Sequence, residues 1–162
     1  MNNFDFYNPV KILFGKDKIK GLTKEINNYK KVLFIYGGGS IKKNGIYEQV
    51  QGALREKEII EFSGIEANPK YDTLMQAIEL AKEQKVDFIL AVGGGSVIDG
   101  AKFISAGIHH DDDPWKILSQ RQTIKDTTPF GAVLTLPATG SEINSFSVVT
   151  RGKDKLGFGG EP

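Results

Sequence analysis

Two stretches of this sequence share one junction. "KVLFIYGGGSIKKNG" begins at Lys31 and "DFILAVGGGSVIDGAK" begins at Asp87, and each passes from apolar residues through Gly-Gly-Gly-Ser into a segment with helical character. A continuous apolar run closed by glycines is the pattern of a strand buried on both faces, as in parallel sheets covered by helices. A chain that carries this junction twice is held to a layered α/β fold more tightly than any other feature here requires.

The rest of the chain reads in the same terms. Val10 to Phe14 ("VKILF") predicts a strand closed by Gly15, and Ile19, Leu22 and Ile26 recur at helical spacing between Lys16 and Asn28. Lys31–Tyr36 and Val86–Val92 are the two strong strands; Ile59–Phe62 is a short one. Helical stripes follow at Ile46, Val50, Ala53 and Leu54, at Leu74, Ala77, Ile78 and Ala81, and at Val97, Ala101, Ile104 and Ile108. "NPKYD" (Asn68–Asp72) is turn chemistry, and in the polar loop "HHDDDPW" Asp113 is placed to cap a helix with Pro114 at its first position. "GAVLTLPATGSE" (Gly131–Glu142) predicts a strand, a turn broken by proline and Ser141 as a cap, and "FSVVTR" (Phe146–Arg151) a half-exposed strand. The closing "GKDKLGFGGEP" has no periodicity, and no strand is expected there. Strands alternating with helices imply βαβ units and right-handed crossovers, hence an α/β, Rossmann-like fold with a mostly parallel sheet and flanking helices. At 162 residues, the whole of 1–162 is expected to form a single domain.

Composition narrows the function. A net charge of +1 gives no electrostatic case for nucleic acid or a membrane surface, and the apolar runs are too short to span a bilayer. Met1-Asn2-Asn3 opens no signal-peptide pattern, so a cytoplasmic location is expected. The absence of cysteine excludes disulfides, thiolate chemistry and Cys-ligated metal. Nineteen glycines exceed the usual share of about 7%, and their clustering at strand-to-helix junctions directs attention there.

In open α/β sheets, ligands bind beyond the carboxyl ends of the strands, where helix N-termini offer free N–H groups to anions. Glycine lets the backbone approach a phosphate closely. Gly93-Gly94-Gly95-Ser96 therefore reads as a pyrophosphate cradle, with Asp99 placed to accept hydrogen bonds from ribose or substrate hydroxyls. It is neither G-x-G-x-x-G nor a P-loop. One copy would read equally as a tight connection that binds nothing; two copies weigh against that. Gly37-Gly38-Gly39-Ser40 would hold the adenosine end. No Asp or Glu stands there to accept from a ribose 2′-hydroxyl, whereas Ser40, Lys42 and Lys43 suit a 2′-phosphate, so NADP(H) is favoured over NAD(H).

The motifs "YGGGSIKKNG", "GIEANPKYDTL", "AVGGGSVIDGAKFI", "DPWKIL" and "LTLPATGSE" resemble the N-terminal domain of the iron-containing alcohol dehydrogenases, in their NADPH-dependent butanol dehydrogenase and aldehyde reductase branch. The resemblance runs from about Phe4 to about Lys155. It implies a dehydroquinate synthase-like nucleotide domain whose cofactor lies against a C-terminal all-helical domain, which carries the iron or zinc on an Asp and three His. None of those ligand positions exists in this sequence, so no metal site is expected in it and the chain alone is expected to be inactive. By the same resemblance, Gly38, Gly39 and Ser40 surround the ribose 2′-phosphate, and members restricted to NAD commonly have Asp where Gly39 stands. Gly94, Gly95 and Ser96 match the pyrophosphate loop. Asp99, the one catalytic candidate, matches the acidic residue near the nicotinamide ribose and substrate. Thr135, Leu136, Thr139 and Ser141 match the wall along the cofactor, and Lys155 a cofactor-contacting lysine. The implied substrates are short-chain aldehydes and alcohols such as butanal and butanol, and the implied assembly is a homo-oligomer. A glycerol dehydrogenase-like zinc enzyme and a stand-alone nucleotide-binding module remain as alternatives. His109 and His110 fall in a variable connector and are not expected to hold metal.

Overall fold

The computed structural model describes residues 7–159; residues 4–6, where the family resemblance begins, and 160–162 lie outside the described residues. A 3-10 turn at Lys18–Gly21 leads into α1 (Leu22–Glu25) and then β1 (Lys31–Tyr36). There follow α2 (Ser40–Lys43), α3 (Ile46–Ala53), β2 (Glu58–Phe62), α4 (Tyr71–Gln84), β3 (Phe88–Gly94), α5 (Gly95–Ile108), α6 (Trp115–Ser119) and β4 (Phe130–Leu136). A second 3-10 turn, Ser141–Ile143, precedes β5 (Phe146–Arg151) and β6 (Asp154–Gly159).

Strands β2, β1, β3 and β4 form one sheet in that order, every pair parallel. The two strong apolar runs are its central strands. With a side-chain period of two, Leu33, Ile35, Ile89 and Ala91 face α4, α5 and α6, while Val32, Phe34, Tyr36, Phe88, Leu90 and Val92 face α2 and α3. Each buried Leu, Ile or Phe of these faces contributes roughly 1.5–3 kcal/mol, so both runs are spent on the core. Helix α5 is buried on nearly every side, between the sheet, α4 and the β5–β6 hairpin. Asp113 caps α6 as expected, its Oδ1 accepting from the Trp115 N–H at 2.8 Å, with Pro114 between them.

Three expectations are corrected. Val10–Phe14 is not a strand: the sheet ends at β2 and β4, this segment pairs with neither, and Ile12 and Phe14 are exposed. The helical spacing between Lys16 and Asn28 yields only the 3-10 turn and α1, separated at Gly21. The closing segment does contain a strand. β6 pairs antiparallel with β5 through a two-residue loop, Gly152-Lys153, in which Gly152 takes φ +60° and opens the turn. The alternating residues Leu156 and Phe158 turn toward α5 and α6, a period that the intervening glycine hides in the sequence.

Candidate functional site

Because β1 and β3 are adjacent and parallel, their glycine junctions emerge side by side at the carboxyl edge of the sheet. Gly37, Gly39, Ser40, Gly93 and Gly94 line one cleft of about 310 Å³ there, and Thr135 and Leu136 form its wall. The wall is offset by a register shift: Gly93 pairs with Leu134 and Gly94 with Leu136, leaving Thr135 unpaired between them. Of the remaining candidates, Gly95, Ser96, Asp99, Thr139, Ser141 and Lys155 join this edge through their contacts, and Gly38 faces open space.

The second junction is tightly filled. A side chain at Gly93 would meet Val97 at 2.6 Å, and one at Gly95 would run into Thr139. Asp99 lies one turn into α5, and its carboxylate is oriented by protein donors: the Ser141 hydroxyl donates to Oδ1 and the Val148 N–H to Oδ2 at 3.2 Å. Ser141 therefore does not cap a helix; its hydroxyl serves Asp99. Below it lies Lys102, buried, whose ammonium donates to Ser141 Oγ at 3.4 Å, Asn144 Oδ1 at 3.1 Å and the Phe146 carbonyl at 2.6 Å. Burial lowers the Lys102 pKa from the usual lysine range, against the opposing pull of the Asp99 and Glu142 carboxylates. An ammonium only donates, so the Ser141 oxygen accepts from Lys102 and its proton is directed at Asp99. Asp99 retains lone pairs for a ligand hydroxyl.

Lys155 reaches the second junction through a residue the sequence reading passed over. Its ammonium donates to Asn68 Oδ1 at 2.6 Å, and the Asn68 N–H donates to Ser96 Oγ at 3.3 Å. Ser96 Oγ thus accepts one hydrogen bond, and among the described residues its hydroxyl proton is given to no partner. Asn68 takes a left-handed φ of 57°, a conformation asparagine tolerates better than most residues; its place in "ANPKYD" signalled a turn but not this bridge. Lys102 was also missed, although its spacing three residues past Asp99 on a helix places the two on one face.

The first junction is open. Nothing lies within 4 Å of where a side chain would begin at Gly38 or Gly39, and Gly39 has φ +90°. Lys42 is turned aside from this loop and held on its flank. Its ammonium sits 3.4 Å from Glu61 Oε1 and 4.7 Å and 5.2 Å from the ring centres of Tyr47 and Tyr36. Glu61 attracts it, and the rings hold it by cation–π contact. Lys43 is exposed.

His109 and His110 line a separate hollow of about 310 Å³ in the connector. Each is bound elsewhere, His109 Nε2 to Thr128 Oγ1 and His110 Nε2 to Gln122 Oε1, both at 2.9 Å. Among the described residues no group of three or more His, Asp or Glu could hold a metal ion, and no helix is long and apolar enough to cross a membrane.

Residues 9–162 match the family model described as Iron-containing alcohol dehydrogenase. The chain is 53% identical to the Bacillus subtilis protein named Probable NADH-dependent butanol dehydrogenase 2, across 93% of this chain and 39% of that one. It is likewise 53% identical to the NADPH-dependent aldehyde reductase YqhD of Escherichia coli, across 93% of this chain and 40% of that one. Its fold matches the crystal structure of NADH-dependent butanol dehydrogenase A from Thermotoga maritima with a TM-score of 0.94 at 44% identity, covering 99% of this chain and 42% of that one. The chain thus spans about two fifths of the length of the relatives it matches.

Proposed function

This chain belongs to the iron-containing alcohol dehydrogenase family, and we propose that its two glycine junctions hold a nicotinamide dinucleotide, NADP(H) in preference to NAD(H), for hydride transfer between the cofactor and short-chain aldehydes or alcohols. The observation that carries this reading is the opening of both junctions into one cleft at the carboxyl edge of a parallel sheet. The pyrophosphate belongs at Gly94–Ser96, where α5 offers free N–H groups over fourteen residues of aligned dipole and Ser96 a free hydroxyl proton. Lys155 lies beside it and keeps ammonium protons beyond the one given to Asn68. The adenosine ribose belongs at Gly38–Ser40, where the absence of side chains leaves room for a 2′-phosphate. Asp99, oriented by Ser141 and Val148, accepts from a ribose or substrate hydroxyl.

A nicotinamide bound here supplies the hydride. The residues of this chain fix where its ring lies, with Thr135 and Leu136 as the wall behind it. The relatives' names include both NADH and NADPH, so the preference rests on this chain's own loop, with no carboxylate at Gly39. The family name implies iron, and the described residues do not form a site for it. We assign residues 1–162 to one nucleotide-binding domain that places the cofactor and does not by itself turn over substrate.

Titration with NADPH and NADH, read by nicotinamide fluorescence, tests this. Saturable binding of both is expected, tighter for NADPH. A wild-type chain that binds neither dinucleotide refutes the site, and reduction of butanal by the chain alone refutes the division of labour.

A further inference from the structure

Tyr36, Lys42, Tyr47 and Glu61 form a cluster beside the first junction. Glu61 accepts the Tyr36 hydroxyl on Oε1 and the Tyr47 hydroxyl on Oε2, the latter at 2.7 Å, and Lys42 approaches Oε1 at 3.4 Å. Burial alone would raise the Glu61 pKa; the two tyrosine hydroxyls and Lys42 outweigh it and hold the carboxyl below its usual value, so it is ionised at neutral pH. The lysine is the loosest partner of the three, and it is half-exposed. If it leaves, the carboxylate still keeps both hydroxyl donors. Lys42 is therefore parked, not buried in a fixed pair. It stands two residues past Ser40, its own N–H donating to the Gly39 carbonyl at 3.1 Å, on a long flexible stem.

We propose that Glu61 is a specificity-determining residue, lowering the preference for NADPH over NADH by competing with the ribose 2′-phosphate for the Lys42 ammonium. This rests on the placement of the adenosine ribose at Gly38–Ser40. NADH brings no charge to that position, so Lys42 stays on Glu61 and binding is indifferent to the carboxylate. NADPH brings a phosphate, which must draw Lys42 away and then face a carboxylate stripped of its counter-charge. Both effects act on NADPH alone and have the same sign.

Dissociation constants for NADPH and NADH, measured on one preparation of each variant, form a ratio from which any loss of folded protein cancels. Glu61→Gln keeps the size and an acceptor for tyrosine but removes the charge. The preference for NADPH is expected to rise about five-fold, the scale of an exposed ion pair, and the gain to shrink as salt is raised. Lys42→Met in the Glu61→Gln background is expected to abolish the gain. Tyr47→Phe frees a carboxylate oxygen to hold Lys42 more firmly and is expected to move the ratio the other way. An unchanged or lower ratio in Glu61→Gln, with wild type binding both dinucleotides, overturns the role of Glu61 and leaves the site intact. Wild type binding neither overturns both.

Discussion

The two Gly-Gly-Gly-Ser junctions are identical in letters and opposite in construction. At the second junction Gly93 and Gly95 are required by the protein itself, because Val97 and Thr139 occupy the space where their side chains would begin, while Gly94 between them keeps ordinary clearance. At Gly38 and Gly39 that space is empty, and the requirements are a left-handed turn at Gly39 and access for whatever enters. The second junction is braced from several directions, by Thr139, by Asn68 and Lys155, and by the Asp99–Ser141–Lys102 chain. The first is tied at its base, where the Gly64 N–H donates to the Gly37 carbonyl at 3.2 Å, and has the Tyr36–Tyr47–Glu61–Lys42 cluster at its flank. A repeated motif thus records a shared backbone path, while its neighbours determine whether the glycines serve packing or a ligand.

The largest effect that separates the two comes from adding one methyl group to each. Gly95→Ala forces Cβ against Thr139 Oγ1, and because Thr139 Cγ2 and Cβ lie at 3.1 Å and 3.2 Å, rotating that side chain still leaves a tight contact. Overpacking of this kind costs about 1–3 kcal/mol, and a thermal melt should show Tm several degrees lower. Dinucleotide affinity should fall at least ten-fold, since the pyrophosphate loop shifts. Gly38→Ala, with φ outside the left-handed region and nothing nearby, should stay within about 0.5 kcal/mol of wild type in stability. Equal destabilisation by the two would erase the contrast.

Gly39→Asp probes the open junction next. The left-handed backbone there costs a non-glycine residue about 1 kcal/mol, and Asp is among those that bear it best. The carboxylate would accept from a 2′-hydroxyl and repel a 2′-phosphate, so NADPH should weaken by about ten-fold relative to NADH. Retention of the wild-type ratio would remove the adenosine ribose from this loop. Ser141→Ala sharpens the other side. Asp99 loses a donor while Lys102 keeps Asn144 and Phe146, for a loss of about 1 kcal/mol in denaturant unfolding. Both dinucleotides should weaken equally, by a few-fold, because the ribose near Asp99 is common to them.

The sheet was legible in the sequence because its central strands are apolar on both faces, and no other arrangement buries "KVLFIY" and "FILAV" so completely. The helices at Tyr71–Gln84 and Gly95–Ile108 were legible for the same reason, each carrying an apolar period that ends in turn chemistry. Misreadings arose where the deciding partner is distant in sequence. Val10–Phe14 reads as a strand closed by Gly15, but a strand needs a paired neighbour and this segment lies on neither edge of the sheet. β6 was hidden because Leu156 and Phe158 alone carry its alternation, set among glycines, and its strand character comes from pairing with β5. Not every glycine marked a junction: Gly100 and Gly107 let Leu74 and Ile78 of α4 close against α5. Within the site, glycines and serines announced themselves locally. The bridge through Asn68 and the diversion of Lys42 to Glu61 depend on side chains meeting across the fold, which no local pattern encodes.

The smallest effect concerns how far the bracing of the second junction extends. The hairpin that carries Lys155 is held at its turn end by Arg151, which donates to Asp113 Oδ2 at 3.0 Å and lies 4.2 Å above the Tyr71 ring. Asp113 also accepts from the Tyr71 hydroxyl at 2.5 Å and from the Trp115 N–H at 2.8 Å. Burial would raise the Asp113 pKa, but these donors outweigh it and hold the carboxyl below its ordinary 3.8. The unfolded chain therefore takes up this proton first as pH falls, so the stabilisation is complete above 3.8 and drains away as pH drops toward the folded value. Tyr71 limits the other end: burial first, then Asp113, pushes it up to about 12, so its stabilisation is complete below 10 and lost between 10 and about 12. Both Asp113 and Arg151 are partly exposed, so water screens the pair and the effect is modest. It should also be local. In hydrogen exchange just below pH 3.8, the amides of β5 and β6 should lose protection before those of β1 and β3, and Asp113→Asn should abolish that acid step. The Gly37–Ser40 junction shares no residue with this latch, and Ile41 of the α2 that follows it packs on the opposite face of the sheet, so its exchange should not follow. If the hairpin and the first junction opened together in acid, the two junctions would be one cooperative unit, and their different surroundings would not make them independently breakable.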